Sequence, residues 1–294
     1  MEFQPSCLVA RIIDGKVVSA EVKARVKKAV EELKENGVQP CLATVLVGDD
    51  PASATYVRSK HSDAKEVGIA TRDHRLGAAF KQDELLELVK LLNNDPEVHG
   101  ILVQLPLPKL IDEFEIFAAL SPLKDVDGLT PYNAGMLQCR MGVLKPCTPS
   151  GIMELLDYYK IDVAGMDAVV VNRSNLVGKP LALLLLEQDA TVTICHSKTK
   201  NLDEKLRNAD LLVTAVGNRQ RFTLDADMIK EGAIVIDVGT TKLNNKLVGD
   251  ADFESVMQKA SWMTPVPGGV GLMTRAMLLK NTVTAASIAK EMSR

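Results

Sequence analysis

Short runs of apolar, mostly β-branched residues alternate with amphipathic segments along most of the chain. Six such runs predict buried parallel strands, because a strand covered on both faces is apolar at successive positions. These runs are residues 41–49, 99–106, 167–172, 190–195, 210–217 and 233–239. The alternation predicts an α/β fold in which helices cover both faces of a parallel sheet.

The segments between these runs have the spacing of helices. Residues 19–36 place apolar side chains on one face and stop at Gly37, which is typical of an amphipathic helix. That face consists of Val22, Val26, Val30 and Leu33. Residues 52–68 also have helical composition, and a last helix is predicted over residues 273–292, after a glycine-rich turn.

A proline-containing stretch at residues 144–151 predicts a domain boundary near residue 148. Thr148 and Pro149 suit the N-cap and first turn of the helix that follows. We therefore predict a first domain over residues 1–147 and a nucleotide-binding domain over residues 148–272. The C-terminal segment 273–294 is expected to pack back on the first domain.

Composition narrows the classes of function. The chain has 294 residues, 46% of them hydrophobic, and a net charge of −3, which predicts a globular protein without a nucleic-acid partner. Five scattered cysteines and four histidines predict neither a disulfide framework nor a metal site. The longest aliphatic run, residues 181–186, is too short to cross a membrane, and residues 1–16 lack a secretory pattern. A cytoplasmic protein without a membrane partner is expected.

The strand at residues 167–172 runs into a polar turn, RSNLVGKP at 173–180, and then into a leucine-rich helix. A pyrophosphate commonly binds in this setting, at the helix N-terminus. Asn172 and Ser174 stand where the usual glycine fingerprint has glycines, and Gly178 remains to allow close packing. On this loop alone, a nucleotide site and an ordinary polar turn are equally good interpretations.

The end of the next strand reads Cys195-His196-Ser197-Lys198 and carries no carboxylate to hold a ribose diol. A hydroxyl at Ser197 and the guanidinium of Arg173 suit a 2′-phosphate instead. This chemistry favours NADP over NAD, and the alternative is a solvated basic loop.

Tyr56 and Lys60 lie four residues apart, so they share a face of the predicted helix. Burial beside a phenol can lower the pKa of an amine and make it a general base near neutral pH. Such a pair more often has a packing role, and three further features favour chemistry.

The first of these features is Gln104, at the carboxyl end of a predicted strand, where open α/β sheets place ligands. The second is KDVDG at 124–128, which has too few oxygen ligands for a calcium loop. Its Asp127 can instead accept two hydrogen bonds from the amino-pyrimidine edge of a pterin. The third is the rigid turn TPVPGGVG at 264–271, which lets backbone approach a flat ring closely. A structural turn is the alternative for each.

Six motifs occur in one order over most of the chain: YVRSK, HGILVQLPLP, KDVDG, PCTP, RSNLVGKP and TPVPGGVG. Together they resemble the bifunctional methylenetetrahydrofolate dehydrogenase/methenyltetrahydrofolate cyclohydrolase family in its bacterial form, from about residue 8 to 292. The resemblance implies an N-terminal α/β catalytic domain and a Rossmann-like doubly wound domain, with folate and NADP bound in a cleft between them. It also implies a homodimer.

The resemblance assigns roles to residues at both ligand sites. It implies that Lys60 is the catalytic lysine, that Tyr56 stacks on the pterin, that Gln104 holds the lysine and that Asp127 anchors the pterin amino group. It implies further folate contacts from Leu105, Pro267, Gly268 and Gly269. The residues implied at the cofactor are Asn172, Arg173, Ser174, Ser197 and Thr240.

The chain departs from the family pattern at Asn172, at Thr240-Thr241 and at Leu272. Asn172 stands in place of a glycine, and because asparagine also tolerates positive φ, the turn is expected to survive. A cyclohydrolase with weak or NAD-preferring dehydrogenase activity is therefore the alternative function. A non-enzymatic NADP-binding sensor is a further rival. A short-chain dehydrogenase, which also uses Tyr-x-x-x-Lys, is disfavoured because here the pair precedes the nucleotide turn.

Overall fold

The computed structural model describes residues 10–244 and 246–292. Its first elements, in chain order, are β1 (Arg11–Ile12), α1 (Gly15–Glu35), β2 (Cys41–Val47), α2 (Pro51–Val67), β3 (Ala70–Leu76), α3 (Gln82–Asn94), β4 (Gly100–Val103), α4 (Glu113–Ala119) and α5 (Pro131–Gln138). They are followed by α6 (Cys147–Tyr158), β5 (Asp167–Val171), α7 (Gly178–Glu187), β6 (Thr191–Cys195), α8 (Leu202–Asn208), β7 (Leu211–Thr214), β8 (Ile234–Asp237), β9 (Thr241–Leu243), β10 (Lys246–Val248), α9 (Phe253–Met257), β11 (Trp262–Met263) and α10 (Val270–Met292).

The chain divides into two compact units. In the described part of the chain, one comprises residues 20–147 with 275–292, and the other comprises residues 148–274 with 10–19. The sequence analysis placed the residues before Ser19 in the first domain, whereas β1 pairs with β11 of the second unit. A strand of two residues carries no hydrophobic pattern of its own, so its partner could not be read from the sequence.

In the first unit, β2 is the middle strand of a three-stranded parallel sheet with the order β3-β2-β4. The apolar strands β2 and β4 were predicted, but β3 was not, because its sequence ATRDHRL is polar. Its side chains alternate between partly buried and exposed positions, as expected for the edge of a sheet. Late in α10, Asn281 donates hydrogen bonds to the carbonyls of Val126 and Lys145.

Two helices of this unit follow from local sequence. In α1 the predicted apolar face is buried, although the helix begins four residues earlier than expected. In α2 the side chain of Asp50 accepts a hydrogen bond from the backbone N–H of Ser53, and Pro51 occupies the first turn. Gly68 ends α2 in the left-handed conformation, with φ at 84°.

The second unit contains a six-stranded parallel sheet with the order β1-β11-β8-β7-β5-β6. β5 pairs with β6 on one side and with β7 on the other, so the strand order reverses at β5. Ligands of open α/β sheets bind beyond the carboxyl ends of the strands at such a reversal. The short strands β9 and β10 form a separate antiparallel hairpin.

One predicted helix start is wrong. Thr148 was expected to cap α6, but the helix begins at Cys147, so Thr148 lies inside the first turn. Its hydroxyl instead forms a hydrogen bond of 2.8 Å with the hydroxyl of Thr274. Among the described residues, no helix combines the length and apolar character needed to cross a bilayer.

Candidate active site

Lys60 is a buried amine in the first unit. It lies on α2, with 5% of its surface exposed. Its Nζ donates a hydrogen bond of 3.0 Å to Oε1 of Gln104 and lies 5.0 Å from the centre of the Tyr56 ring. Tyr56 and Lys60 thus share a helical face, and the amine is held between an aromatic ring and an amide oxygen.

Gln104 is fixed by its own contacts, directly after β4. Its backbone N–H donates to the carbonyl of Val45, and its side-chain Nε2 donates to the carbonyl of Leu105 at 2.7 Å. These bonds direct Oε1 toward Lys60. The Leu105–Pro106 peptide that follows is cis.

The two carboxylates of the KDVDG loop, Asp125 and Asp127, have different contacts. Asp125 is fully buried and accepts hydrogen bonds from the backbone N–H groups of Leu129 and Thr130 and from the side chain of Asn133. Asp125 therefore shapes the loop. Asp127 is half-buried, and its carboxylate interacts with the thiol of Cys147 and the amine of Lys60.

Cys147 is a member of the site that the sequence analysis missed, because the cysteines were considered only as candidates for disulfides or a metal site. Its Sγ donates to the carbonyl of Val126 at 3.2 Å, and Asn281 approaches the sulfur at 3.7 Å. Burial, reinforced by Asp127, raises the pKa of this thiol well above its usual value. Cys147 is therefore a neutral hydrogen-bonding group beside Asp127. Its place in the PCTP motif was the only signal in the sequence.

Burial and neighbouring charges shift the pKa values of Lys60 and Asp127. Burial lowers the pKa of Lys60, and Asp127 partly opposes this effect. Burial raises the pKa of Asp127, and Lys60 partly opposes that rise. The neutral fraction of the Lys60 amine near neutral pH is therefore larger than for a lysine in water.

Replacing Gln104 with glutamate should raise the pKa of Lys60 by about one unit or more, because a carboxylate at hydrogen-bond distance stabilises the ammonium form. NMR titration of the Lys60 side chain in ¹³C-lysine-labelled protein measures this shift. Gln104→Met is the matched control, since it removes the acceptor without adding charge and should not raise the pKa. A titration in Gln104→Glu that coincides with wild type would show that the two side chains are not in contact.

Asn172 organises the turn after β5 in the second unit. Its Oδ1 accepts hydrogen bonds from the backbone N–H groups of Ser174 and Gly178 at 2.7 and 3.1 Å. Its Nδ2 donates to the carbonyl of Ala215, which follows β7, so the side chain bridges the point where the strand order reverses. Asn172 does not have a positive φ, so the tolerance of asparagine for that conformation is not used here. It is the side-chain amide that makes asparagine suit the position.

Gly178 begins α7 and packs directly against Asn172. A Cβ at this position would lie 2.1 Å from the carbonyl oxygen of Asn172, far inside contact distance. Only glycine lets the helix start so close to the strand, as the sequence analysis expected for close packing.

Candidate cofactor groups stand on neighbouring loops at this edge of the sheet. Val171 and Cys195 are paired at the ends of β5 and β6, and Arg173, Ser174 and Ser197 follow them with exposed side chains. The loop after β6 is folded by a hydrogen bond from the backbone N–H of His196 to the hydroxyl of Thr199. The hydroxyl of Ser174 is folded into the turn, where it donates to Oδ1 of Asn172 and accepts from the backbone N–H of Val177. The exposed side chains of Arg173 and Ser197 are therefore the groups best placed to meet a ligand.

The loops after β7 and β8 are held by two buried aspartates that the sequence analysis did not single out. Asp250 accepts hydrogen bonds from the backbone N–H groups of Val216 and Gly217. The carboxylate of Asp237 accepts hydrogen bonds from the backbone N–H groups of Asp250 and Ala251. Burial raises the pKa of Asp237 to about 6. Thr240 follows β8 and is exposed. The two carboxylates fix the backbone that leads to it.

The turn at 264–271 follows β11 in the same unit. The Val266–Pro267 peptide is cis, and Gly268 has φ at 112°, which favours glycine. A Cβ on Gly269 would lie 2.6 Å from the carbonyl oxygen of Pro265. The turn therefore requires both glycines for its own shape.

These features define a class: a two-unit α/β protein with a dinucleotide-type sheet in one unit and a buried, polarised amine in the other. Comparison with known families specifies it further. The model described as "Tetrahydrofolate dehydrogenase/cyclohydrolase, catalytic domain" matches residues 13–127, and that of the NAD(P)-binding domain matches residues 146–290. The chain belongs to the tetrahydrofolate dehydrogenase/cyclohydrolase family.

Individual relatives agree with this assignment. The chain is 62% identical to "Bifunctional protein FolD" of Nitrosopumilus maritimus, over 96% of this chain and 98% of that protein. The bifunctional enzyme of Campylobacter jejuni has a similar crystal structure, with a TM-score of 0.92 and 48% identity over 95% and 99% of the two chains. A Trypanosoma brucei dehydrogenase-cyclohydrolase, solved with NADP and an inhibitor, gives a TM-score of 0.91 and 38% identity over 96% and 98%.

Proposed function

We propose that this protein catalyses two successive steps. It oxidises 5,10-methylenetetrahydrofolate with NADP to 5,10-methenyltetrahydrofolate, and it then hydrolyses that cation to 10-formyltetrahydrofolate. Family membership supports both activities. The observation that carries the hydrolytic step is the buried Lys60 amine, bonded to Gln104 and with a lowered pKa.

In the hydrolytic step, water adds to the methenyl carbon and the ring opens after loss of one proton from the added water. We assign the removal and return of protons to Lys60, because a neutral amine at this position can accept a proton near neutral pH. Gln104 orients the amine by accepting its hydrogen bond. The oxidative step needs no strong base, since the substrate carbon loses a hydride.

Bound folate is proposed to lie against the Tyr56 ring, with its amino-pyrimidine edge on the carboxylate of Asp127. The half-buried position of Asp127 beside a neutral thiol supports this role, because the carboxylate keeps acceptor capacity for a ligand. Leu105 and the turn at Pro267, Gly268 and Gly269 remain proposed folate contacts. Their support is the resemblance together with the rigid backbone of the turn.

NADP, when bound, supplies the hydride acceptor. The residues of the second unit fit this cofactor: the strand order reverses at β5, and Gly178 lets α7 start against the strand. We propose that Arg173 and Ser197 hold the 2′-phosphate, that Ser174 and the turn formed by Asn172 bind the pyrophosphate, and that Thr240 lies near the nicotinamide. Because the Asn172 side chain is folded into the turn, it argues against the alternative of a crowded, weak cofactor site.

Arg173→Ala should raise the KM for NADP about tenfold or more and leave the KM for NAD nearly unchanged, since only NADP carries the phosphate that the guanidinium would bind. Initial rates with each cofactor measure the effect. Arg207→Ala, on the exposed face of α8, removes an equal charge from the same unit and should change neither value. Equal losses with both cofactors would place Arg173 away from the 2′-phosphate.

Two further proposals rest on the resemblance. We propose that the protein is a homodimer paired through its nucleotide-binding units and that it acts in the cytoplasm. Light scattering of the purified protein tests the first, and fractionation of the source cells tests the second.

The proposed hydrolysis is tested by supplying methenyltetrahydrofolate without any nicotinamide cofactor and following the loss of its absorbance. Loss well above the buffer rate, with 10-formyltetrahydrofolate as product, is the expected result. A rate equal to that of buffer would remove the cyclohydrolase assignment and with it the role of Lys60.

A further inference from the structure

Two neighbouring carboxylates are buried beneath the loops that follow β7 and β8. Asp237 ends β8 with 2% of its surface exposed, and Asp250 is fully buried in the turn after β10. Each side chain lies against the backbone of a glycine. A Cβ on Gly249 would lie 1.9 Å from Oδ2 of Asp237, and a Cβ on Gly239 would lie 2.2 Å from the carboxylate oxygens of Asp250. Glycine at both positions therefore leaves room for the two carboxylates.

The carboxylate of Asp237 uses both oxygens as acceptors. Oδ1 accepts hydrogen bonds from the backbone N–H groups of Gly239 and Asp250, at 3.1 and 3.0 Å, and from the hydroxyl of Thr214 at 3.3 Å. Oδ2 accepts from the backbone N–H of Ala251 at 2.8 Å. An ionised carboxylate has about four acceptor sites, one for each of these donors, and protonation takes one site away. Protonation of Asp237 therefore displaces at least one donor.

The second carboxylate extends this support to the nucleotide turn. Asp250 accepts hydrogen bonds from the backbone N–H groups of Val216 and Gly217 at 2.6 and 2.9 Å, in the loop after β7. The carbonyl of Ala215, the residue before them, accepts the bond from Nδ2 of Asn172. The loop after β7 is therefore held between Asp250 and the turn that is proposed to bind the pyrophosphate. A shift of Asp250 would shift this loop as well.

The charges around the two carboxylates do not balance. Arg219 is the cation that acts on Asp250, but its Nη1 donates to two backbone carbonyls of the turn that carries Asp250, and its Nη2 pairs with Asp252 at 3.6 Å. Burial raises the pKa of Asp237 to about 6, the backbone N–H donors oppose that rise, and the charge of Asp250 adds to it. Asp237 therefore takes up a proton at a pH where an aspartate in water stays ionised.

These contacts link the protonation of Asp237 to the cofactor site. We propose that Asp237 is a positioning residue for the cofactor and that NADP binds preferentially to the protein in which this carboxylate is ionised. In that form the loops after β7 and β8 are already held, so binding does not have to order them. Protonation removes part of the support of the backbone that leads to Thr240 and, through Asp250, of the loop bonded to Asn172. This inference rests on the proposed position of NADP at this edge of the sheet.

NADP and a proton on Asp237 therefore oppose each other, and the coupling is reciprocal. Bound NADP should lower the pKa of Asp237, and acidification below about pH 6 should weaken NADP binding. The direct test titrates the side-chain carboxyl of Asp237 by NMR in ¹³C-labelled protein, with the signal assigned through the backbone. One sample has no cofactor and the other has saturating NADP.

The pKa of Asp237 should be lower by about one unit or more in the sample with NADP. Asp227 is the internal control, because it is exposed in the same unit and should titrate alike in both samples. An Asp237 titration that NADP leaves unchanged or moves upward overturns the inference. This measurement needs no variant, so it decides the matter even if a substitution at Asp237 prevents folding.

Calorimetric titration with NADP over a range of pH gives a second measurement. A shift of one unit makes NADP affinity of wild type about fivefold lower at pH 5 than at pH 7.5. Asp237→Asn should bind NADP more weakly at pH 7.5 and lose this part of the pH dependence, whereas Asp227→Asn should behave as wild type. Equal affinity and equal pH dependence in Asp237→Asn and wild type overturn the inference. Failure of wild type to bind NADP at pH 7.5 overturns the proposed function instead.

Discussion

Replacing Lys60 with methionine should slow the hydrolysis of methenyltetrahydrofolate by at least about 100-fold, the usual scale for loss of a positioned proton-transfer group. Hydride transfer should remain measurable, because the oxidation removes no proton from the reacting carbon. Methionine fills a similar volume without an amine. The fold should survive, although Oε1 of Gln104 loses its donor.

The two activities must be assayed separately in this variant. Hydrolysis is followed from methenyltetrahydrofolate alone, and oxidation is followed by formation of NADPH. Lys65→Met is the matched control, because Lys65 is exposed on the same helix and should affect neither rate. Full cyclohydrolase activity in Lys60→Met would contradict the assignment of proton transfer to this amine.

Replacing Gly178 with alanine should abolish most of the dehydrogenase activity. The added Cβ would lie 2.1 Å from the backbone oxygen of Asn172, so α7 or the turn after β5 must shift. That turn is the proposed pyrophosphate site, which depends on backbone N–H groups in fixed positions. We expect NADP affinity to fall by an order of magnitude or more, with a stability cost of about 1–3 kcal/mol from overpacking.

Calorimetric titration with NADP and thermal unfolding measure these two effects in Gly178→Ala. Gly135→Ala is the control, since Gly135 lies on the exposed side of α5 and a Cβ there meets nothing within 4 Å. It should leave NADP binding intact and slightly stabilise the helix. Hydrolysis of methenyltetrahydrofolate by Gly178→Ala shows that the first unit remains folded. Wild-type NADP affinity in this variant would place the cofactor away from the turn.

Elements with strong patterns could be predicted from the sequence. Strands such as β2 and β5 are apolar at successive positions, and α1 has a continuous apolar face. The hydrophobic pattern alone therefore predicts these elements, and they are buried in the structure. β3 was missed because an edge strand needs few apolar residues. The start of α6 was misplaced because proline is tolerated throughout the first turn of a helix, so Pro149 does not fix the start, and the helix begins at Cys147.

The part of the candidate site that lies in recognisable sequence motifs could be predicted. Lys60 and Tyr56 were found by helical spacing, and Gln104 by its place at a strand end. Cys147 was not found, because its significance depends on contacts between residues far apart in the chain. Asn172 was identified, but its effect was sought in the backbone, whereas its side chain forms the turn.

The coupling of both reactions in one protein is tested most directly by a progress curve from methylenetetrahydrofolate and NADP, recording NADPH and methenyltetrahydrofolate together. For wild type, NADPH should accumulate while the methenyl signal stays low, because the cation is hydrolysed as it forms. For Lys60→Met, both signals should rise in equal amounts. If the methenyl signal stays equally low in Lys60→Met, Lys60 does not separate the two reactions as proposed. If no NADPH forms in wild type, the protein does not couple oxidation to hydrolysis at all.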